Sequence, residues 1–235
     1  MQIKILSDDL ASRIAAGEGI ERPASVVKEL VENSLDAGST RVDVQVVGGG
    51  AKSIVVIDNG MGIPSDQIAT AFERFATSKI DESSDLISIP TLGFRGEALP
   101  SIASVARVTA VSMSTEAAYG AKYHVDFGKP GPVEKIGAPQ GTRIEVADLF
   151  SNTPARLKFL GSAGRELSRV QSILASLALV NPHVAFSLVA DGRDRLRTIG
   201  SGKLMDSIAG VYGQNIADQM ISLEPDGSSA FVVDG

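Results

Sequence analysis

Residues 40–58, "TRVDVQVVGGGAKSIVVID", constrain the fold more than any other stretch. Val42, Val44 and Val46 alternate with polar neighbours, the period at which successive side chains of a strand point to opposite faces. Three glycines at 48–50 interrupt the pattern, and "SIVVID" resumes as a more buried strand, so a β-hairpin is predicted. The stretch before it, "VVKELVENSLDAGS" (26–39), reads as an amphipathic helix. At about 100° per residue, Val27, Leu30, Val31 and Leu35 share one face, and Gly38 stands in a C′-like position that closes a helix.

The remaining pattern extends this beginning. "SDQIATAFERFA" places Ile68, Ala71, Phe72 and Phe75 at helical spacing and predicts a second helix, followed by a polar, loop-like stretch. "LPSIASVA" reads as a short helix; "RVTAVSM", "AKYHVDF" and "GTRIEVADLF" read as strands separated by Gly and Pro. "ELSRVQSILASLALVNP" is a long helix ended by Asn-Pro, and "AFSLVADG" is another strand. Helices grouped with hairpin-joined strands predict an α+β fold: a two-layer sandwich with a mixed, antiparallel-rich sheet and helices on one face. A strictly alternating parallel fold fits less well. From Ser201 the pattern restarts with "GKLMDSIAGVYG" and "AFVVDG", so one domain is expected over 1–200 and the beginning of a second, cut short, over 201–235.

Composition excludes some chemistry. With no cysteine there is neither a disulfide nor a thiolate metal site, and the two histidines, His124 and His183, lie far apart, which argues against a zinc enzyme. A net charge of −6 argues against a surface that is wholly a nucleic-acid platform, while leaving room for a local basic patch. The first residues hold acids by position 8 and no long apolar run, so neither a secretory signal nor a membrane span is expected, and an intracellular location is the default.

Three stretches invite a functional reading. On the first helix Glu29, Glu32, Asn33 and Asp36 fall in one arc, either a solvated stripe or the wall of a site. In "VVIDNGMGI" an apolar strand ends in Asp58 and runs into Gly60 and Gly62; Asp58 is either a turn former or a carboxylate in a pocket. Such a carboxylate suits adenine, whose exocyclic amine donates, and repels guanine, which presents an acceptor there. In "GFRGEALPSIAS" Gly93 and Gly96 bracket Arg95 and lead into a helix, an arrangement that can cradle phosphate on backbone N–H groups. It matches neither a Walker loop nor a dinucleotide fingerprint. "ATSK" adds Thr77, Ser78 and Lys79, either phosphate contacts or a capped, solvated helix end.

Taken together, "KELVENSLDAG", "DNGMGI", "ATSKI", "GFRGEALPSIASV" and "LFSNTPARLKFL" resemble the ATPase half of the MutL mismatch-repair family, part of the superfamily that includes DNA gyrase B, Hsp90 and histidine kinases. The resemblance runs from about Ile3 to Ala209. It implies a Bergerat-type fold, ATP and Mg²⁺ as cofactors, and slow Mg-dependent hydrolysis. It assigns Glu29 as general base, Asn33 as Mg²⁺ ligand, Asp58 as the adenine-reading carboxylate and Thr142 as its helper through a water. Gly60 and Gly62 match the loop beneath the base; Thr77, Ser78, Lys79, Gly93, Arg95, Gly96 and Leu99 match lid and phosphate-contacting positions. The unfinished second domain would be transducer-like, of the ribosomal S5 domain 2 type.

The partners implied are a second copy on ATP binding, MutS, a downstream repair nuclease and helicase, and DNA without sequence preference, in the cytoplasm beside the nucleoid and with no membrane. Arg156, Lys158, Arg165, Arg169, Arg193, Arg195 and Arg197 are either solvated or DNA-facing. Two departures stand out: Gly19 replaces a usual apolar residue, and the γ-phosphate Lys that relatives supply from the following domain is missing, so hydrolysis by residues 1–235 alone is expected to be slow or absent. Two rivals share parts of this reading, a topoisomerase ATPase domain, against which "NTPARLKFL" speaks, and a nucleotide-sensing DNA clamp that does not turn over.

Overall fold

The computed structural model describes residues 20–76 and 96–221. Helix α1 (Pro23–Asp36) starts on Pro23, whose fixed φ suits the first turn. It ends in a Schellman arrangement: Gly38, at φ 72°, donates its N–H to Leu35 O at 2.9 Å, and Ser39 N–H reaches Ser34 O at 3.2 Å. Then follow β1 (Arg41–Val47), the Gly48–Gly50 turn, β2 (Ser53–Asp58), a single 3₁₀ turn at Thr70–Phe72, α2 (Ala98–Val105), β3 (Arg107–Met113), β4 (Gly120–Asp126), β5 (Lys129–Ile136) and β6 (Gly141–Ala147). The chain continues through α3 (Pro154–Phe159), α4 (Ala163–Val180), β7 (Ala185–Ala190), β8 (Arg193–Arg197), α5 (Leu204–Tyr212) and α6 (Gln214–Ala217).

All eight strands form one sheet in the order β5-β4-β3-β6-β2-β1-β7-β8. Among the described residues only β1 and β7 pair in parallel, and every other pairing is antiparallel. The register lines up core-facing residues in rows across the strands. One row reads Val46, Ile54, Val146, Val108, Val125, and the next Val44, Val56, Ile144, Ala110, Tyr123. Both rows are buried, with α1 packed on β1 and β2 and α2 on β3 and β4, while α4 covers β7 and β8. The third row reads Val42, Asp58, Thr142, Ser112, Ala121: the same face of the same sheet turns polar in its middle three strands.

The opposite face of the sheet stays wet. Its charges pair with one another, Arg41 with Asp43, Arg143 with Glu145, Lys122 with Glu134, and Arg107 with Asp126 and Asp148. No described helix is long and apolar enough to cross a membrane. The α+β sandwich predicted from the sequence is present.

Three elements depart from expectation. Residues 65–76 form successive turns and one 3₁₀ turn instead of an α-helix. Only Ile68 there is fully buried, and the N–H of Phe75 donates to Gly96 O at 3.0 Å instead of to a carbonyl one turn back. A short amphipathic segment with so little to bury does not hold a helical ladder. "KPGPVEKI", which lies among the Gly and Pro expected only to separate strands, is the edge strand β5, where Pro130 and Pro132 are tolerated and hardly a side chain is covered. "RDRLR", taken as a basic run, is the other edge strand, β8, with only Leu196 buried.

Candidate nucleotide site

The polar row carries the site. Asp58 ends β2 with its carboxylate at the boundary between core and solvent. Oδ1 accepts the N–H of Gly60 at 2.9 Å and of Thr142 at 3.2 Å, and Oδ2 accepts the Ser34 hydroxyl at 2.9 Å. Burial raises the Asp58 pKa above the ordinary carboxylate value, and the donors Gly60, Ser34, Thr142 and Ser39 partly offset it. The Ser39 hydroxyl, 4% exposed, acts by proximity alone, for its oxygen makes no hydrogen bond of sound geometry.

Ser34 ties this carboxylate to the helix that bears Glu29 and Asn33. Its hydroxyl also lies 3.1 Å from Leu30 O, so one proton serves two acceptors. Glu29 and Asn33 are half-buried, one turn apart on the side of α1 away from its core-facing residues, and both are engaged in contacts with the surrounding protein. Glu32 is not part of a solvated stripe: it is 7% exposed and pairs with Lys28 at 3.0 Å, so burying its carboxylate demanded the partner four residues before it. Asp36 is half-buried beside the helix end.

The loop after Asp58 is pressed against neighbouring backbone. A Cβ on Gly62, at φ 71°, would stand 2.1 Å from Met113 O, and one on Gly60 would stand 2.7 Å from Ser39 Oγ and 2.8 Å from Ala37 O. On the facing strand Gly141, at φ 107°, would place a Cβ 2.1 Å from Asp58 O. These glycines are therefore required first by the packing of backbone on backbone, which sets Asp58 and Thr142 side by side. Asn59 fixes the loop from the other side: Oδ1 accepts from Thr40 N–H at 3.0 Å and Arg41 N–H at 2.9 Å, and Nδ2 donates to Thr40 Oγ1 at 2.8 Å.

Gly96, at φ 59°, packs on Ala76 and opens into α2, on which Leu99 lies half-buried against the core. Thr77, Ser78, Lys79, Gly93, Arg95 and Gly19 lie outside the described residues. Among the described residues no cluster of three or more His, Cys, Asp or Glu could hold a metal ion. Sequence reading missed Ser34, Ser39, Asn59 and Ser112. Ser34 alone left a signal, as a hydroxyl at a core-facing helix position, 2% exposed.

The arrangement fits an adenine ring. An ionised carboxylate has about four acceptor sites, and Asp58 uses three of them on the protein, leaving room for one more donor such as an exocyclic amine. The orphaned Ser39 hydroxyl beside it offers a further place for a ligand group or a water to bind. Magnesium, which takes few protein ligands, is compatible with a lone Asn33 on α1.

Asp58, half-buried at a strand end of an open mixed sheet, lies within the region whose sequence places the domain in a class of ATPases. Residues 20–146 match the sequence profile of the histidine kinase-, DNA gyrase B-, and HSP90-like ATPases. The DNA mismatch repair protein MutL of Lactobacillus helveticus is 51% identical over 223 residues, 95% of this chain and 35% of that protein. MutL of Limosilactobacillus reuteri is 51% identical over 222 residues, 94% of this chain and 33% of its own. The solved Aquifex aeolicus MutL ATPase domain complexed with ADP aligns with a TM-score of 0.65 at 35% identity, covering 82% of this chain and 69% of that one. The N terminal domain of a DNA repair protein aligns at 0.74 with 27% identity, over 87% and 61%. The chain belongs to this ATPase family, as a MutL-type ATPase domain. It spans about a third of the length of the curated relatives it matches.

Proposed function

We propose that this domain binds ATP with the adenine amine on Asp58 and hydrolyses it as the nucleotide switch of a mismatch-repair protein. The observation that carries the reading is the Asp58 carboxylate, half-buried, held by three donors and still able to accept one more. Glu29 takes the proton of the attacking water, and Asn33 holds Mg²⁺, which would neutralise phosphate charge. Thr142 assists Asp58 through a water, and the loop of Gly60 and Gly62 lies beneath the base. Thr77, Ser78, Lys79, Gly93, Arg95, Gly96 and Leu99 serve the phosphates and the lid. Hydrolysis is slow in residues 1–235 by themselves.

In this reading the triphosphate orders residues 76–99, which favours pairing with a second copy, and hydrolysis reverses it. MutS, a repair nuclease and helicase, and DNA bound without sequence preference are the partners, in the cytoplasm beside the nucleoid. Residues from 201 on begin a second, transducer-like unit. The apolar side chains that α5 and α6 leave exposed, Leu204, Met205, Tyr212 and Ile216, support further packing there.

Calorimetric titration with Mg²⁺·ATP and Mg²⁺·GTP, beside Asp58→Asn, tests the reading. Tight ATP binding, weak GTP binding and loss of ATP affinity in the variant are expected. Equal affinity for the two nucleotides, or an unaffected variant, would move the base away from Asp58.

A further inference from the structure

Ser112 lies on β3, in the polar row beside Thr142, and is 1% exposed, so no ligand touches it. Its hydroxyl oxygen has three neighbours at hydrogen-bonding distance: Ile63 N at 2.7 Å, Gly141 O at 3.0 Å and Thr142 Oγ1 at 2.9 Å. A hydroxyl has one proton to give and two lone pairs to receive with. Ile63 N–H can only donate and Gly141 O can only accept. The Ser112 proton therefore goes to Gly141 O, one lone pair receives Ile63 N–H, and the third contact is satisfied only if Thr142 donates to Ser112.

We infer that Ser112 is a positioning residue for base selection: by taking the Thr142 proton, it leaves Thr142 Oγ1 with lone pairs alone to present to the base. Asp58 and Thr142 stand opposite each other on β2 and β6, so the floor they form is acceptor-only. A ligand amine that donates directly is matched there. An edge with a carbonyl at the same place sets lone pair against lone pair and is rejected, and selection against an acceptor becomes a property of two residues instead of Asp58 alone. Without Ser112, the Thr142 hydroxyl is free to turn and donate, and half of that rejection is lost.

The inference rests on the reading that adenine occupies the Asp58 floor, and the test separates the two. ATP and 6-methoxypurine riboside triphosphate, which carries an oxygen acceptor where ATP has its amine and, unlike inosine triphosphate, no proton on the neighbouring ring nitrogen, are titrated calorimetrically into the intact chain. If the unaltered chain binds no ATP, or binds both nucleotides alike, the reading of the floor itself fails. If it prefers ATP, Ser112→Ala is expected to lower the preference for ATP over the methoxypurine about tenfold, the worth of one hydrogen bond, and Ser112→Thr, which keeps the hydroxyl, to restore it. An unchanged preference in Ser112→Ala overturns the inference.

Ser112→Ala also strips Ile63 N–H and Gly141 O of their partner, so thermal melts accompany it. Should it fail to fold, Thr142→Val decides. An acceptor-only Thr142 predicts about tenfold weaker ATP binding with the 6-methoxypurine analogue unaffected or improved. Weaker binding of the 6-methoxypurine analogue as well would mean that Thr142 donates in the native protein, and the assignment falls.

Discussion

At the scale of single residues, Asp58 carries two opposed demands. Its folded pKa is raised above the unfolded value, so any stability that it adds is present below the unfolded pKa and is lost as pH rises through the folded one. At neutral pH the ionised carboxylate therefore weakens the fold relative to a neutral side chain of the same shape. Asparagine is such a side chain: its Oδ1 can accept from Gly60 and Thr142, and its Nδ2 can donate to Ser34 Oγ, releasing the Ser34 proton wholly to Leu30 O. Asp58→Asn is expected to melt no lower than the parent at pH 7, with the difference shrinking toward acid, while ATP affinity drops about tenfold to a hundredfold for the lost charged acceptor. Melts across pH 4 to 8 check the sign, and a clear destabilisation at pH 7 would mean that the three donors outweigh burial. Asp58 itself was legible in the sequence because an acid at the end of an apolar strand breaks the pattern. Ser112 was not, since its role depends on a cross-strand register that joins residues 30 apart.

Elements were legible where a pattern meets burial. The hairpin of β1 and β2 and helix α1 with its glycine cap follow from period and turn chemistry, because both elements bury one face. Edge strands β5 and β8 cover almost nothing, so no alternation marks them, and residues 65–76 show helical spacing but bury only Ile68 fully. Glycine roles separate in the same way. Gly38 and Gly62 both lie at positive φ, but around Gly38 nothing comes within 4 Å of a Cβ, whereas at Gly62 the Met113 carbonyl stands 2.1 Å away. Gly38→Ala should cost about 1 kcal/mol, the strain of a left-handed alanine. Gly62→Ala adds a backbone clash and should cost about 3 kcal/mol or more, with the loop displaced from Asp58. Denaturant melts of both variants give the comparison; similar costs would show that the loop yields easily, and that it does not hold the floor in place.

For the molecule as a whole, the question is where a chain of net charge −6 could meet DNA. The fold sorts the basic residues that the sequence merely counts. Arg169 is spent internally, bound to the buried Glu166 together with Arg22, and Arg197 pairs with Asp194. On the open sheet face, the charges of β1, β3, β4 and β6 neutralise one another. Arg193 and Arg195 on the β8 edge, and Lys158 and Arg165 around α3 and α4, remain exposed. If the domain holds DNA through phosphates, Arg193→Gln and Arg195→Gln should each weaken binding at low salt and reduce the slope of log affinity against log salt by about one, with the same effect on any sequence. Arg169→Gln should act differently. It leaves Glu166, 2% exposed, short of a partner, and should destabilise the fold by about 3 kcal/mol while leaving the salt slope unchanged. Titrations at several salt concentrations, beside melts of the same variants, separate the two kinds of arginine. A slope that falls for Arg169→Gln and not for the β8 pair would shift the DNA path from the sheet edge to the α1–α4 side.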